Sequence, residues 1–250
     1  MSAHPGVRIL AVVPVYNHPK PIGAVVQALR AQQLPVLIVD DGSDFGCAAV
    51  LDQLVSVDGS VMVLRLARNQ GKGGAMMAGL EEALRLGYSH ALQLDADGQH
   101  DVRDLPQFIA SAQAHPDHFI CGYPLYDDSV PKGRLYGRYA THLWVWINTL
   151  SLTIRDSMCG FRVYPLVPTV SRIRRTRIGR RMDFDVEIAV RLVWDGVRVI
   201  NQPTRVHYPA DGVSHFRAVR DNVRISWMHT RLFFGMLLRW PLLLWRKVAA

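Results

Sequence analysis

Ala91-Leu92-Gln93-Leu94-Asp95-Ala96-Asp97-Gly98-Gln99-His100 is a short apolar run that ends in two carboxylates one residue apart. Gly87-Tyr88-Ser89-His90 bounds it upstream. The run reads as a buried strand delivering Asp95 and Asp97 to its C-terminal end, and in open α/β sheets that edge is where ligands bind. Two carboxylates this close repel each other unless a cation sits beside them. Hard oxygen ligands suit Mg²⁺ or Mn²⁺, which in turn bridge phosphates. Taken alone, the stretch reads equally well as a solvated Asp-Gly turn; the segments around it weigh against that.

Upstream, Arg8 to Val15 is an apolar, β-rich run followed by Tyr16-Asn17. Lys20 to Gln33 places Ile22, Val25, Val26 and Leu29 on one helical face, with Pro19 and Pro21 suited to its start. Val36 to Val39 is a second buried strand, stopping at Asp40-Asp41-Gly42-Ser43-Asp44. A helix around Cys47 to Val55, a strand from Val61 to Leu66 and a helix from Gly73 to Leu86 complete the order β-α-β-α-β-α-β. Connections of a few residues make this a parallel sheet covered on both faces. Three strand ends then carry Tyr16-Asn17, Asp40-Asp41 and the Asp95/Asp97 pair, which together look like a nucleotide site. Gly71-Lys72-Gly73-Gly74 opens a helix, so its backbone N–H groups either face an anion or let the helix pack closely. Its spacing is neither that of a Walker A loop nor that of a dinucleotide fingerprint.

The 250 residues, 49% hydrophobic, can bury one large core. One α/β domain over residues 1–215 with an amphipathic helical extension over 216–250 fits better than two domains. The start of the chain lacks the charged and apolar regions of a signal peptide, and no run of about 18 uncharged apolar residues predicts a membrane span. Cys47, Cys121 and Cys159 are far apart and odd in number, which predicts no zinc site, no disulfide framework and a reducing cytoplasm. The net charge of +8 is carried almost entirely by arginine, which favours phosphate-bearing partners.

Beyond residue 120 the pattern changes. Pro131 to Leu150 is basic and aromatic, with Lys132, Arg134, Arg138, Trp144 and Trp146. Asp156 to Arg162 is a polar, glycine-containing turn before a short strand. Ser171 to Arg181 holds six arginines and reads as a solvated basic loop, with a specific phosphate site as the alternative. Met182 to Trp194 reads as a helix in which Asp183 and Glu187, four apart, are expected to be surface charge, and Val197 to His207 reads as another strand. In the extension, Arg217, Arg220, Arg224 and Arg231 share one helical face while Val219, Val223 and Trp227 lie on another. The tail from Leu232 to Lys247 mixes apolar residues with Trp and Arg, which fits an interfacial anchor on an anionic membrane surface. A helix packed on the protein's own core, or on a second subunit in a homo-oligomer, is the alternative.

Taken together, Val13-Pro14-Val15-Tyr16-Asn17, Val39-Asp40-Asp41-Gly42-Ser43, Asn69 to Ala75 and Asp95-Ala96-Asp97-Gly98-Gln99-His100 resemble the motifs of family 2 glycosyltransferases, which have the GT-A fold. Cys159-Gly160-Phe161-Arg162 and Gly212 to Arg217 resemble the later motifs of the dolichyl- or polyprenyl-phosphate sugar synthase branch. The resemblance implies a GT-A, Rossmann-like, mostly parallel central sheet flanked by helices. It also implies that Tyr16, Asp40 and Asp41 hold the base and ribose of a nucleotide-sugar, with Pro14, Asn17, Lys72 and Ala96 in the same donor pocket. Asp95 and Asp97 would form a DxD-type site, in which Asp97, Gln99 and Asp95 bind Mg²⁺ or Mn²⁺. Arg134, Arg138 and Arg217 would supply positive charge to the diphosphate or to an acceptor phosphate. An inverting transferase acting on a hydroxyl needs a general base, for which Asp183, Asp185 and Glu187 are candidates by position; an acceptor phosphate needs none. Three positions depart from the branch: His18 after Tyr-Asn, Cys121-Gly122-Tyr123-Pro124 after the mid-chain strand, and Met158-Cys159 before Gly160.

The expectation is a metal-dependent inverting glycosyltransferase, peripheral on the cytoplasmic membrane face, moving a sugar from a UDP- or GDP-sugar to a lipid-linked or amphiphilic acceptor. A soluble transferase for a polar glycan or small molecule is the first rival. A non-catalytic basic module binding phosphate or nucleic acid is the second, although no helix-turn-helix or single-strand platform is recognisable and nucleic acid is not an expected partner.

Overall fold

The computed structural model describes residues 6–126, 132–207 and 217–248. In chain order the elements are β1 (Ile9–Val15), α1 (Ile22–Ala31), β2 (Val36–Asp40), α2 (Phe45–Val57), β3 (Val61–Arg65), α3 (Lys72–Arg85) and β4 (His90–Gln93). A 3-10 turn and α4 (Leu105–Ala114) lead to β5 (Phe119–Tyr126), α5 (Lys132–Thr149), β6 (Arg162–Pro165) and α6 (Leu166–Arg175). The chain then forms α7 (Phe184–Trp194), β7 (Val199–Val206), α8 (Ala218–Leu237) and α9 (Trp240–Val248). Among the described residues the strands form one seven-stranded sheet in the order β3-β2-β1-β4-β6-β5-β7. β1 to β4 pair in parallel, as expected from the alternation of strands and helices. β6 enters antiparallel between β4 and β5, and β5 pairs in parallel with β7.

β1 shows why the sequence folds this way. Parallel strands buried on both faces read as continuous apolar runs. Leu10 and Val12 face one core with Met76 and Leu80 of α3 and with α7, while Ile9, Ala11, Val13 and Val15 face the other with Val25 and Leu29 of α1 and Leu51 of α2. Strands β1, β2 and β4 therefore all end at one edge, which is where the acidic clusters emerge.

Two expectations for the second half are corrected. The six-arginine segment is not a solvated loop throughout, because Leu166–Arg175 is the helix α6 and the residues after it fold against the start of α3. Asp183 and Glu187 are not surface charge: Glu187 is fully buried and Asp183 nearly so. Periodicity hid this because almost every residue of α7, polar ones included, is enclosed between α3, α5 and α6. In the extension, Met228, Leu232, Met236 and Leu243 join the core, while Val223, Trp227, Phe234, Leu238 and Trp245 stay exposed. Gly212 to Phe216 of the late motif lie outside the described residues.

Close approach of α3 to the sheet depends on Gly79. A Cβ there would lie 2.5 Å from Val12 Cγ1 and 2.8 Å from Val39 Cγ2, both fully buried β-branched side chains. We expect Gly79→Val to cost about 2–3 kcal/mol by overpacking, read as a lowered denaturation midpoint; an unchanged midpoint would show that α3 can shift off the sheet freely.

Candidate active site

Each strand end contributes a differently used polar group. At the end of β2, the Asp41 carboxylate accepts hydrogen bonds from the backbone N–H of Gln70 (2.6 Å) and Gly71 (2.8 Å), tying the loop before α3 to the sheet edge. Burial pushes the Asp41 carboxyl above its ordinary value, against those two amides. Asp40 turns back on its own loop and accepts from Ser43 N at 2.9 Å. Asn17, at φ +53°, fastens the ends of β1 and β2 together: its N–H donates to Ser43 Oγ and its Oδ1 accepts from Asp44 N.

The glycines at the start of α3 serve close packing. Gly71 has φ +90°, a conformation that favours glycine, and a Cβ on Gly73 would lie 2.4 Å from Phe184 Cβ. This approach carries Lys72 inward. Its Nζ lies 2.8 Å from Asp95 Oδ2 and 2.8 Å from Asp185 Oδ2. Burial pulls the ammonium down, but Asp185 and Asp95 together hold it well above the ordinary lysine value.

Asp185 is bound further into the interior. Burial raises its carboxyl, yet Lys72 and then Arg162 outweigh burial and hold it below its ordinary value. Gln93 Nε2 donates to Asp185 Oδ1 at 3.2 Å, and Tyr164 Oη donates to Gln93 Oε1 at 2.8 Å. The fully buried Arg162 donates to the carbonyls of Asp185 (2.6 Å), Ser157 (2.6 Å) and Cys159 (2.7 Å). Gly160 is required beside Asp95, where a Cβ would fall 1.9 Å from Oδ2.

Asp97 is used differently. One oxygen accepts from Gln99 N at 3.0 Å, and burial followed by repulsion from Asp95 pushes its carboxyl above the ordinary value. The His100 ring, edge-on to Phe161, is pushed toward its neutral form by burial.

Part of this network borders one cleft of about 690 Å³. Of the residues singled out in the sequence, Pro14, Tyr16, Asp41 and Lys72 line its sheet side, and Asp95, Ala96, Asp97 and Gln99 its floor. Arg138, Asp185 and Arg217 line the cleft as well. Arg138 is oriented by Asp156, which accepts from its Nη2 at 3.0 Å and also from the N–H of Met158 and Cys159. Asn17, Asp40, Asp183 and Glu187 are not among the lining residues. Asp183 accepts from Arg181 N, and Glu187 is consumed by Arg191, Arg231 and the N–H of Gly179. Arg134 belongs to the first turn of α5, and its side chain lies outside the described residues.

The sequence reading missed Arg181, Arg220 and Arg224, which also line the cleft. Arg181 is held by Asn69 Oδ1 at 2.6 Å. A signal for it existed in the glycines of the facing loop, since Gly71 and Gly73 leave room for the backbone of residues 179–181.

The family model described as glycosyl transferase family 2 matches residues 10–177, more than half of the chain. The polyprenol monophosphomannose synthase of Mycolicibacterium smegmatis is 27% identical over 219 residues, covering 81% of this chain and 78% of that protein. The undecaprenyl-phosphate mannosyltransferase of Micrococcus luteus is 27% identical over 206 residues, covering 78% and 82%. Among solved structures, glucosyl-3-phosphoglycerate synthase from Mycobacterium tuberculosis, crystallised with Mn²⁺, UDP-glucose and phosphoglyceric acid, superposes with a TM-score of 0.61 at 14% identity over 93% of this chain and 79% of that one. A Pyrobaculum calidifontis mannosyltransferase in complex with GDP-mannose and Mn²⁺ superposes with a TM-score of 0.56 at 17% identity, over 82% and 58%. The fold is the GT-A fold.

The Lys72 bridge sets a pH dependence. Because Asp185 is held below the ordinary value of 3.8 in the folded chain, its contribution is fully present above that value and is lost as the pH falls through the folded one. We expect Lys72→Met to cost about 3 kcal/mol near pH 7, because the buried Asp185 is left with only the more distant Arg162 at 3.8 Å and the half-buried Asp95 loses its ammonium partner. Without Lys72 the burial of Asp185 is less offset and its carboxyl rises, so the gap to wild type should narrow as the pH falls toward about 4. Urea unfolding across that range measures it, and a gap independent of pH would contradict the bridge.

Proposed function

The chain belongs to glycosyl transferase family 2, and within that family we propose that it transfers a sugar from a nucleotide-sugar to a lipid-linked phosphate at a membrane surface. One observation carries this reading. The three α7-region carboxylates that could serve as a general base are all engaged: Asp183 with a backbone amide, Asp185 with Lys72, and Glu187 with Arg191 and Arg231. A cleft whose acids are committed this way suits a nucleophile that is already an anion. The cleft meanwhile presents Arg138, Arg217, Arg220 and Arg224. The names of the mycobacterial and micrococcal relatives, both polyprenyl-type mannosyltransferases, agree with this acceptor class.

The chemistry needs no proton transfer to the enzyme. An acceptor phosphate oxygen attacks the anomeric carbon from the side opposite the leaving group. The bond from that carbon to the donor diphosphate breaks with inversion, and the electron pair leaves on the nucleoside diphosphate. Tyr16 and Asp41 border the nucleoside end of the cleft, and Arg138, fixed by Asp156, supplies charge toward the phosphates. A divalent cation fits the donor set on the floor. Asp97 is a carboxyl whose ionisation is opposed by burial and by Asp95, a burden that a cation relieves, and Gln99 beside it adds a hard oxygen. Asp97 and Gln99 would hold Mg²⁺ or Mn²⁺, with Asp95 kept beside it by Lys72. Bound there, the ion would neutralise the charge of the leaving diphosphate.

The membrane reading rests on exposed apolar side chains. Tyr139, Leu143 and Trp144 of α5, Val223, Trp227 and Phe234 of α8, and Trp245 of α9 are all exposed. Trp with neighbouring cations suits headgroup depth. Among the described residues no helix is long and apolar enough to cross a membrane. Such contact would be peripheral and on the cytoplasmic face.

Two outcomes are expected. Nucleotide release from a panel of UDP- and GDP-sugars, with lipid extract and Mn²⁺ or Mg²⁺, should fall by at least about a hundredfold in Asp97→Ala without loss of fold; equal release would remove Asp97 from the reaction. Trp227→Ser combined with Trp245→Ser should weaken co-sedimentation with phosphatidylglycerol vesicles severalfold while leaving the melting midpoint in place. Unchanged co-sedimentation would move the membrane contact elsewhere.

A further inference from the structure

Beside the donor cleft, a second concavity of about 470 Å³ opens between the loop after β3 and the loop before α7. Its walls carry Arg68, Arg180, Arg181 and Arg224, the amides of Asn69 and Gln70, and one carboxylate, Asp183. That carboxylate already accepts the backbone N–H of Arg181 at 3.1 Å. Two of the guanidinium groups are held by neutral oxygens: Arg180 Nη1 donates to Gln70 Oε1 at 2.7 Å, and Arg181 Nη1 to Asn69 Oδ1 at 2.6 Å. An amide oxygen fixes the direction of a guanidinium without cancelling its charge. Arg224 leans on Asp221, which stands outside this concavity, at 3.2 Å.

Four like charges gathered and oriented on one wall repel one another unless an anion shares them. Arginine forks match phosphate oxygens in pairs, and such charge-assisted bonds are about twice as strong as neutral ones. We infer that this concavity, which adjoins the cleft and shares Asn69, Arg181 and Arg224 with it but not Asp97, is a phosphate-binding site that takes a ligand bearing a phosphomonoester or pyrophosphate group. A soluble phosphate compound and a lipid headgroup present the same chemistry here. Arg224 lies on α8 next to the exposed Val223 and one turn before the exposed Trp227, so both sources have access. An anion bound here would also brace the loop whose Gln70 and Gly71 amides hold Asp41. The inference does not depend on which group the cleft transfers.

Arg68 and Arg180 line this concavity and are not among the residues lining the cleft, so R68Q/R180Q tests the site without touching the proposed catalytic groups. Inorganic pyrophosphate is titrated calorimetrically into the full chain in EDTA, without donor. Wild type and Asp97→Asn should bind it alike, and R68Q/R180Q roughly tenfold more weakly. Arg68→Gln alone, at an exposed position, should move affinity the same way by a smaller factor, which guards against a folding defect in the double variant. Co-sedimentation with phosphatidic acid vesicles, whose headgroup is a phosphomonoester, and with phosphatidylcholine vesicles separates the sources. A severalfold loss on the anionic vesicles in R68Q/R180Q assigns a lipid headgroup, and unchanged co-sedimentation with weakened pyrophosphate binding assigns a soluble phosphate. Equal pyrophosphate affinity in wild type and R68Q/R180Q, or no binding to either, overturns the inference.

Discussion

The ammonium of Lys72, set between Asp95 and Asp185, joins three elements that are far apart in sequence: the start of α3, the end of β4 and the start of α7. Buried charge is costly unless it is paired and hydrogen-bonded. Here the pairing continues through Gln93 to Tyr164 and through Asp185 to Arg162, each donor meeting an oxygen. A network satisfied at every member fixes one geometry, because any partial arrangement leaves a charge stranded in a medium of low dielectric. The glycines follow from the same constraint. Gly73 lets α3 approach Phe184 closely enough for Lys72 to reach both carboxylates, and Gly160 leaves room for Asp95 to stand against the backbone.

This arrangement divides the acidic residues into two groups. Asp95, Asp185 and Glu187 have basic partners and hold the walls in place. Asp97, raised by burial and by Asp95, is placed to gain from an arriving cation. The proposed chemistry, in which an ionised phosphate attacks and a metal-bound diphosphate leaves, asks the protein for positive charge and orientation more than for a base. In that proposal Arg138, Arg217, Arg220 and Arg224 answer the demand; α8 carries two of the four and Arg217 is its N-cap. The same helix buries Met228 and Leu232 in the core and exposes Val223 and Trp227, so it can hold the cleft wall and face a membrane at once.

How much of this was legible in the sequence follows from the range of the interactions. The four parallel strands and their helices were readable because the signal is local: continuous apolar runs, short connections and carboxylates at the strand ends. The antiparallel entry of β6 was not, since nothing near Arg162 to Pro165 encodes which neighbours they pair with. The burial of Asp183 and Glu187 was hidden for a related reason. An i,i+4 acidic pair on a helix looks like solvated charge until Arg191, Arg231 and the Gly179 amide are brought to it by tertiary packing. The glycine-rich setting of Lys72 is compatible with phosphate contact and with close packing alike; its partners lie 23 and 113 residues away, beyond any local pattern. In the C-terminal extension, core packing and an exposed apolar face look like alternatives in the sequence, whereas α8 has both: Met228 and Leu232 are buried, and Val223 and Trp227 are exposed.

The most direct test of the central claim compares two acceptors that differ in a single group, a polyprenyl phosphate and the corresponding polyprenol, with the same nucleotide-sugar and divalent metal, by mass analysis of the lipid product. A cleft whose carboxylates are committed to lysine, arginine and backbone amides should glycosylate the phosphate and leave the alcohol untouched. Comparable glycosylation of the alcohol would mean that one of those carboxylates, Asp185 foremost, is released to act as a base, and the reading of the Lys72 bridge as a fixed support would be wrong.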